Sequence, residues 1–132
     1  MKHITGPAHI AVMTNDIEGT AAFYEKLGGE VYDRGTVMKP AGLTNLAMVH
    51  FHGYDLELVQ PADGACTTTG VVAHFAMMVD DLDAAIEELR GLGVETFKTP
   101  EKKVLPELFG GLQNIFFVGP NGEEIELLQK FN

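Results

Sequence analysis

The sequence predicts an α+β protein built from two tandem strand-helix-strand-strand-strand modules. The first observation is a repeat: the segment His9-Ile10-Ala11-Val12-Met13 returns 65 positions later as His74-Phe75-Ala76-Met77-Met78. The second is a match between residues 55–60 and 124–129, where a glutamate alternates with apolar residues in both copies. The offset there is 69, so the second copy carries four additional residues. An internal repeat of this kind constrains the architecture more than any single element does.

The first copy is predicted to contain one strand, one helix and three further strands. Alternation over 9–14 predicts a strand that places Ile10 and Val12 beneath the helix. Asn15, with Glu18 three residues later, is expected to cap that helix. The remaining segments are the end of the helix at Gly28-Gly29, a strand at 30–34, a loop at 35–42 that contains Pro40, and strands at 46–51 and 54–60 joined at His52-Gly53.

The second copy repeats the same order of elements. Its segments are a strand at 74–79, a helix capped by Asp80 that stops near Gly91 or Gly93, a strand at 94–97, an irregular loop at 99–111, and strands at 114–118 and 124–129 joined by a turn at 119–122. We therefore expect a single domain over residues 1–132. Module one is expected at about 5–61, a linker at about 62–72 and module two at about 73–130.

Composition limits the partners of the protein. A net charge of −10 disfavours nucleic acid and anionic membranes, because both select basic surfaces. No apolar run approaches the roughly 20 residues of a membrane span, and Met1-Lys2-His3 does not begin a signal peptide. Cys66 is the only cysteine, so no disulfide can form within the chain. We expect a cytoplasmic protein, and its charge excludes these partners without naming another.

Strand alternation places four polar side chains on faces that no helix covers. In each copy the apolar neighbours of the histidine and the glutamate are expected beneath the helix, which leaves His9, Glu57, His74 and Glu126 on the opposite faces. Each of these residues taken alone is explained as a buried histidine or a surface-strand acid. A glutamate between leucines is costly unless it is paired or ligated. Brought together by an approximate twofold axis, the four would suit Zn, Ni, Co, Mn or Fe(II).

The motifs resemble a known superfamily. The doubled opening at His9-Ile10-Ala11-Val12 and the ending Gly119-Pro120-Asn121-Gly122-Glu123-Glu124-Ile125-Glu126-Leu127 are similar to the vicinal oxygen chelate superfamily, the glyoxalase/bleomycin resistance/dioxygenase group. The resemblance implies two βαβββ modules that form a half-barrel cleft around one divalent metal ion, with Zn or Ni first. It also implies that the ligands are those of the glyoxalase I type, at His9, Glu57, His74 and Glu126.

A site of this kind indicates lyase or isomerase chemistry on a small carbonyl substrate through an enediolate. Glu126 first, and Glu57 second, is expected as the base that moves the proton. Two positions depart from glyoxalase I: Met13 stands where an Arg usually meets glutathione, and Pro61 stands where an Asn is usual. The sequence therefore does not predict glutathione as the thiol. Relatives of this length usually dimerise, so the resemblance implies a homodimer.

Three rival functions follow from the same resemblance. An epimerase of a CoA thioester would use the same enediolate logic, although such an epimerase is expected to carry Gln where this chain has Glu57. A non-catalytic protein that binds a small molecule or an antibiotic, as bleomycin-resistance relatives do, would generally lack the metal ligands. Dioxygenase relatives would use Fe(II) with two His and one Glu.

The residues expected to contact the substrate are Met13, His50, Tyr54 and Asn114. Tyr54 and Asn114 are assigned from strand parity, and Met13 from its place where an Arg usually meets glutathione. His50 and His52 share a predicted strand face, and they are interpreted either as a second ligand pair or as residues beside the hairpin turn that line the cleft.

Overall fold

The computed structural model describes residues 1–26, 28–64, 72–118 and 124–132. The elements of the first copy are β1 Ile4–Met13, α1 Ile17–Lys26, β2 Glu30–Lys39, β3 Gly42–Phe51 and β4 Tyr54–Gln60, followed by a 3-10 turn at Ala62–Gly64. Those of the second copy are β5 Val72–Val79, α2 Leu82–Gly91, β6 Lys103–Leu105, a 3-10 turn at Leu108–Gly110, β7 Leu112–Val118 and β8 Glu124–Lys130. The α+β class and the doubled βαβββ plan are confirmed.

The chain divides into two compact units. We call His9–Ala73 the first unit, and Met1–Ala8 together with His74–Asn132 the second unit. The opening residues join the second unit through two hydrogen bonds: the Asp80 amide donates to the His3 carbonyl over 3.1 Å, and the Thr5 side-chain hydroxyl donates to the Met78 carbonyl over 3.4 Å. The strand β1 therefore serves both units, with its first half in one and its second half in the other.

The strand order is the same in both units. In the first unit it is β2-β3-β4-β1, with β1 parallel to β4 and the other neighbours antiparallel. In the second unit it is β6-β7-β8-β5, with β5 parallel to β8. Since the parallel pair joins the first and last strands of each module, the histidine strand lies directly beside the glutamate strand in both units.

One helix covers one face of each four-stranded sheet. The core of the first unit consists of buried apolar residues from α1 and the strands beneath it, namely Val12, Ile17, Ala21, Ala47, Val49, Leu56 and Leu58. The second core is built in the same way from Val79, Leu82, Ala85, Ile86, Leu89, Ile115, Phe117 and Leu127. Burial of these side chains provides the main stabilisation of the two units.

The prediction for Ile10 holds for the strand face, since Ile10 pairs with the core residue Leu56, but not for its burial. Alternation places this residue beneath the helix with Val12, yet Ile10 is 37% exposed. Strand β1 and helix α1 each contain ten residues. Since a strand rises about 3.3 Å per residue and a helix 1.5 Å, α1 can cover less than half the length of β1.

Several predicted boundaries also need correction. Residues 35–39, predicted as part of a loop, continue β2, because they pair with β3 across a hairpin that turns at Pro40-Ala41. Residues 94–97 form no strand; Phe97 makes a single bridge to Phe117. The predicted loop at 99–111 contains the short strand β6. The tight turn at His52-Gly53 is confirmed, and both residues have positive φ, of 51° and 97°, as a type I′ turn requires.

Both helix caps lie one residue later than predicted. The Asp16 carboxylate accepts the Gly19 amide over 3.0 Å, and the Asp81 carboxylate accepts the Ala84 amide over 3.0 Å. Asp80, the predicted cap of α2, instead contacts the His3 ring. Adjacent acidic or amide residues are equally able to cap, so the backbone decides between them.

Four features expected from the sequence lie outside the described residues: Cys66, most of the linker, the turn at 119–122, and Leu27, which recurs at helical spacing after Tyr24 in the first helix. No helix within the described ranges is long and apolar enough to cross a membrane.

The corrected cap of α2 is testable by paired substitutions. Asp81→Ala should lower the free energy of unfolding by about 1 kcal/mol, because the amide of the first helical turn loses its acceptor. Asp80→Ala removes only an exposed pair with His3 and should cost less than about 0.5 kcal/mol. Urea unfolding of both variants measures the difference. The reverse order of effects would restore Asp80 as the cap.

Candidate metal centre

The first unit brings His9 and Glu57 together. Parallel pairing of β1 with β4 sets Ala11 opposite Glu57, so the histidine stands two residues before the partner of the glutamate. The Nε2 atom of His9 lies 3.5 Å from Oε1 of Glu57. Both residues are more than nine-tenths buried, with exposures of 7% and 8%. Glu57 alternates along β4 with the core residues Leu56 and Leu58, which puts its carboxylate on the face that α1 does not cover.

The second unit repeats this arrangement in the same register. Ala76 lies opposite Glu126 in the parallel pair β5–β8, and His74 again precedes that alanine by two residues. Nε2 of His74 lies 3.1 Å from Oε1 of Glu126. Glu126 is 4% exposed, and the His74 ring packs edge-on against Phe116 with centroids 5.0 Å apart. Each unit therefore places one imidazole nitrogen beside one carboxylate on a buried strand face.

Asn114 adds a feature that only the second unit has. This residue is 8% exposed, and its Nδ2 donates to Oε2 of Glu126 over 2.9 Å. Its buried Oδ1 has no hydrogen-bond partner among the described residues. An amide held in this way fixes one carboxylate oxygen of Glu126 and leaves an acceptor for another group. In the first unit the corresponding place on β3 is taken by Leu46.

Burying a carboxylate beside an imidazole, with no further partner, destabilises the folded protein. A buried charge loses several kcal/mol of hydration, which a single neighbouring group rarely offsets. The charge is compensated when the pair coordinates a cation, since imidazole nitrogen and carboxylate oxygen are both ligands for divalent transition metals. Each pair thus offers two of the donor atoms that such an ion needs.

The residues predicted to contact substrate occupy different faces. Met13 follows His9 on β1 at even spacing, so the two share a face, and Asn114 stands beside Glu126. Tyr54 is the cross-strand partner of Phe51, and the rings meet edge-to-face 6.0 Å apart on the side that α1 covers. The structure therefore does not bring Tyr54 to the face of Glu57.

The two histidines of the β3–β4 hairpin are separated. His52 lies in the turn itself, edge-on to Phe51 at 4.7 Å between centroids. His50 lies on the strand, and its Nδ1 is 2.8 Å from Oδ1 of Asp55. The alternative in which they form a pair on one strand face is not supported, whereas their place beside the turn agrees with the other interpretation. Both line a cleft of about 410 Å³ at the end of the hairpin.

Two residues around His50 were not predicted from the sequence. Asp55 is its cross-strand partner, and the Tyr32 hydroxyl donates to Oδ2 of Asp55 over 2.5 Å. The tight turn at His52-Gly53 already implied that Asp55 would face His50. Tyr32 left no such signal, because it reaches this position through a β-bulge between Val31 and Asp33.

The environment of Tyr32 keeps its hydroxyl protonated. Partial burial, followed by the hydrogen bond to the Asp55 carboxylate and the charge of that group, raises the pKa of Tyr32 far above its ordinary value. The phenol is therefore a permanent donor at neutral pH.

This shift predicts a pH-dependent stability difference. At pH 8 Tyr32→Phe should lower the free energy of unfolding by about 1–2 kcal/mol, because a hydrogen bond to a carboxylate is lost. A raised pKa favours the neutral phenol in the folded state, so this contribution is lost as the pH rises above about 10. Urea unfolding of both proteins from pH 8 to 11 should show the gap narrowing. If the difference in unfolding free energy between wild type and Tyr32→Phe grew with pH, the raised pKa of Tyr32 would be contradicted.

The sequence is similar to one protein family and to two proteins of known sequence. Residues 8–107 match the family model of the Glyoxalase/Bleomycin resistance protein/Dioxygenase superfamily. Two relatives from Bacillus subtilis (strain 168) are similar over nearly their whole length. The uncharacterized protein YwbC is 29% identical over 92% of this chain and 95% of its own, and the uncharacterized protein YwkD is 30% identical over 92% and 94%.

Solved structures share the fold at low sequence identity. Methylmalonyl-CoA epimerase from Mycobacterium tuberculosis superposes with a TM-score of 0.83 at 20% identity, covering 98% of this chain and 90% of its own. A methylmalonyl-CoA epimerase from Streptomyces coelicolor, in complex with 2-nitronate-propionyl-CoA, has a TM-score of 0.80 at 23% identity and covers 97% and 96%. These likenesses concern the fold. The family match over most of the sequence shows that the chain belongs to the Glyoxalase/Bleomycin resistance protein/Dioxygenase superfamily.

Proposed function

We propose that the protein is a divalent-metal-dependent lyase or isomerase of the glyoxalase I type, which moves a proton beside the carbonyl group of a small substrate. The observation that carries the proposal is the duplicated His–Glu pair. Both copies have the same strand register, and the imidazole and carboxylate lie 3.5 and 3.1 Å apart. A structural role alone gives no reason to keep two buried carboxylates on strand faces that apolar residues could fill.

In the proposed site one ion is held by all four side chains, His9, Glu57, His74 and Glu126, within a half-barrel cleft. The donor set fits a divalent cation, because two neutral imidazoles and two carboxylates carry a charge of about −2. The absence of thiolate ligands suits Zn or Ni first, with Co, Mn or Fe as further candidates. When bound, such an ion polarises a substrate carbonyl and stabilises the negative charge of an enediolate.

The proton is moved by the carboxylates. Glu126 is the first candidate for the base and Glu57 the second. The amide of Asn114 donates to one oxygen of Glu126 and so limits the directions in which the other oxygen can face. A positioned base contributes about 10²–10⁴-fold to the rate of proton transfer. Asn114 and Met13 are proposed to contact the substrate, and His50 is considered separately below.

An epimerase of a CoA thioester is the second candidate. It is favoured by the structural neighbours, several of which are methylmalonyl-CoA epimerases, including one in complex with methylmalonyl-CoA. The same proton transfer beside a carbonyl would serve this reaction. Glu57 favours the glyoxalase type, since the resemblance leads us to expect Gln there in an epimerase. Met13 and Pro61, in place of the usual glutathione contacts, point to a thiol other than glutathione.

We propose that the protein acts in the cytoplasm as a homodimer. A cytoplasmic location accords with a chain whose single cysteine excludes an internal disulfide. A homodimer is supported by the outermost strands β2 and β6, whose outer edges have no neighbour in the strand order of the described residues.

The first test is turnover by a charge-neutral variant. Purified protein is loaded with Zn or Ni and assayed on the hemithioacetals of methylglyoxal with several thiols and on a CoA thioester. Glu126→Gln should lower kcat about 10²–10⁴-fold, because the amide cannot accept the proton, while substrate affinity stays within about tenfold.

Glu124→Gln is the matched control. It removes a carboxylate from the same strand, two residues away, where the group pairs with Lys98 at the surface. This variant should retain wild-type kcat. Full activity of Glu126→Gln would contradict the assignment of the base.

The second test concerns the asparagine behind Glu126. Asn114→Ala should weaken binding of the metal about 10- to 100-fold, because loss of an outer hydrogen bond loosens the ligand. Calorimetric titration with Zn measures the change. Asn45→Ala, an exposed asparagine on β3, should leave the affinity unaltered. Equal affinities of all three proteins would exclude a role for Asn114 at the ion.

A further inference from the structure

The imidazole of His50 is held from two directions although its side chain is 55% exposed. Nδ1 lies 2.8 Å from Oδ1 of Asp55, and the ring stacks on Tyr32 with centroids 3.6 Å apart and planes 8° from parallel. An exposed histidine is normally free to rotate between rotamers. Two contacts with different geometry leave this ring one orientation.

The hydrogen bonds determine which nitrogen faces outward. Asp55 accepts from the Tyr32 hydroxyl at one oxygen, and the other oxygen faces Nδ1 of His50. A carboxylate has no proton to give, so Nδ1 carries the hydrogen of that bond. In the neutral imidazole Nε2 is then an acceptor. In its neutral form the ring that Tyr32 and Asp55 hold therefore presents Nε2 as an acceptor in a fixed position.

The position of His50 and Asp55 links them to the proposed reaction. His50 pairs with Asp55 across β3–β4, and Met48 pairs with Glu57 at the next step on the same face. Two residues along a strand separate Asp55 from Glu57, a distance of roughly 7 Å. His50 and Asp55 also line the cleft of about 410 Å³ at the hairpin end, whose wall continues with Phe51, His52 and Tyr54. A molecule whose reacting carbon lies at Glu57 would extend past His50 with its other end.

Stability alone gives little reason to hold His50 in place. Its exposed pair with Asp55 adds little to folding, and ordering the side chain costs rotamer freedom. A side chain that is already fixed in the free protein loses no further rotamer entropy when a ligand binds, so a preordered side chain favours ligand binding.

We infer that His50 is a substrate-binding residue, whose Nε2 accepts a hydrogen bond from an amide N–H or hydroxyl in the thiol-derived portion of the substrate. Tyr32 and Asp55 are positioning residues that hold the ring. This inference rests on the proposed function and extends it from the reacting carbonyl to the part of the substrate that sets specificity.

The test compares two hemithioacetals of methylglyoxal. One is formed with N-acetylcysteamine, which carries an amide N–H, and the other with ethanethiol, which has no donor. His50→Phe keeps a ring that can stack on Tyr32 and removes both nitrogens. For the N-acetylcysteamine adduct it should raise KM about tenfold and leave kcat within about threefold. For the ethanethiol adduct KM should not change. Tyr32→Phe should raise KM for the first adduct about threefold, since Asp55 still holds Nδ1.

His3→Phe is the matched control. His3 and Asp80 form an equally close pair, with Nδ1 2.9 Å from Oδ1, in the second unit. This variant should leave both KM values unaltered. His50→Leu replaces His50→Phe if the latter does not fold, and the same selective rise is expected. All variants should bind the metal as the wild type does, because His50 is not one of its proposed ligands.

The possible failures are distinguishable. If the wild type binds the ion and turns over both adducts, but His50→Phe leaves KM for the N-acetylcysteamine adduct unchanged or raises both KM values equally, this inference is overturned and the proposed function stands. If the wild type binds no divalent ion and turns over neither adduct, the proposed function fails, and the inference fails with it.

Discussion

The burial of a glutamate between leucines is the constraint on which the rest of the structure depends. Strand alternation sends Leu56 and Leu58 into the core beneath α1 and therefore turns Glu57 to the other face, where it is 8% exposed. The same pattern buries Glu126, at 4% exposure. A buried carboxylate requires a partner, and the parallel neighbouring strand supplies a histidine in both units. A neutral histidine does not cancel the negative charge of the glutamate, and the proposed ion supplies the positive charge that does.

The two units have kept this pair and diverged around it. In the second unit Asn114 donates to Glu126, whereas Leu46 stands at the corresponding place in the first. In the first unit His50 faces Asp55, whereas the corresponding pair in the second is Val118 and Glu124. The repeated residues are those proposed to hold the ion. Asn114 and His50, which are not repeated, are proposed to contact the substrate, which has no twofold symmetry to match.

Much of the fold and of the candidate site follows from patterns of period two and 3.6. The repeat is visible in the sequence itself. Strand alternation then decides which face each helix covers and places the four polar residues on the opposite faces. The helix caps were misplaced because neighbouring residues, Asn15 and Asp16 or Asp80 and Asp81, have the same capping chemistry. The length of β2 depends on pairing with β3, and the orientation of Tyr32 depends on a bulge; neither is encoded in the local pattern.

The central claim is that all four side chains hold one ion, and calorimetric titration with Zn of four single variants tests it most directly. The wild type should bind one ion per chain. His9→Ala, Glu57→Ala, His74→Ala and Glu126→Ala should each weaken that binding by at least about 100-fold. A wild type that binds no ion would contradict the account. So would two ions per chain, each lost only on substitution of one unit's pair.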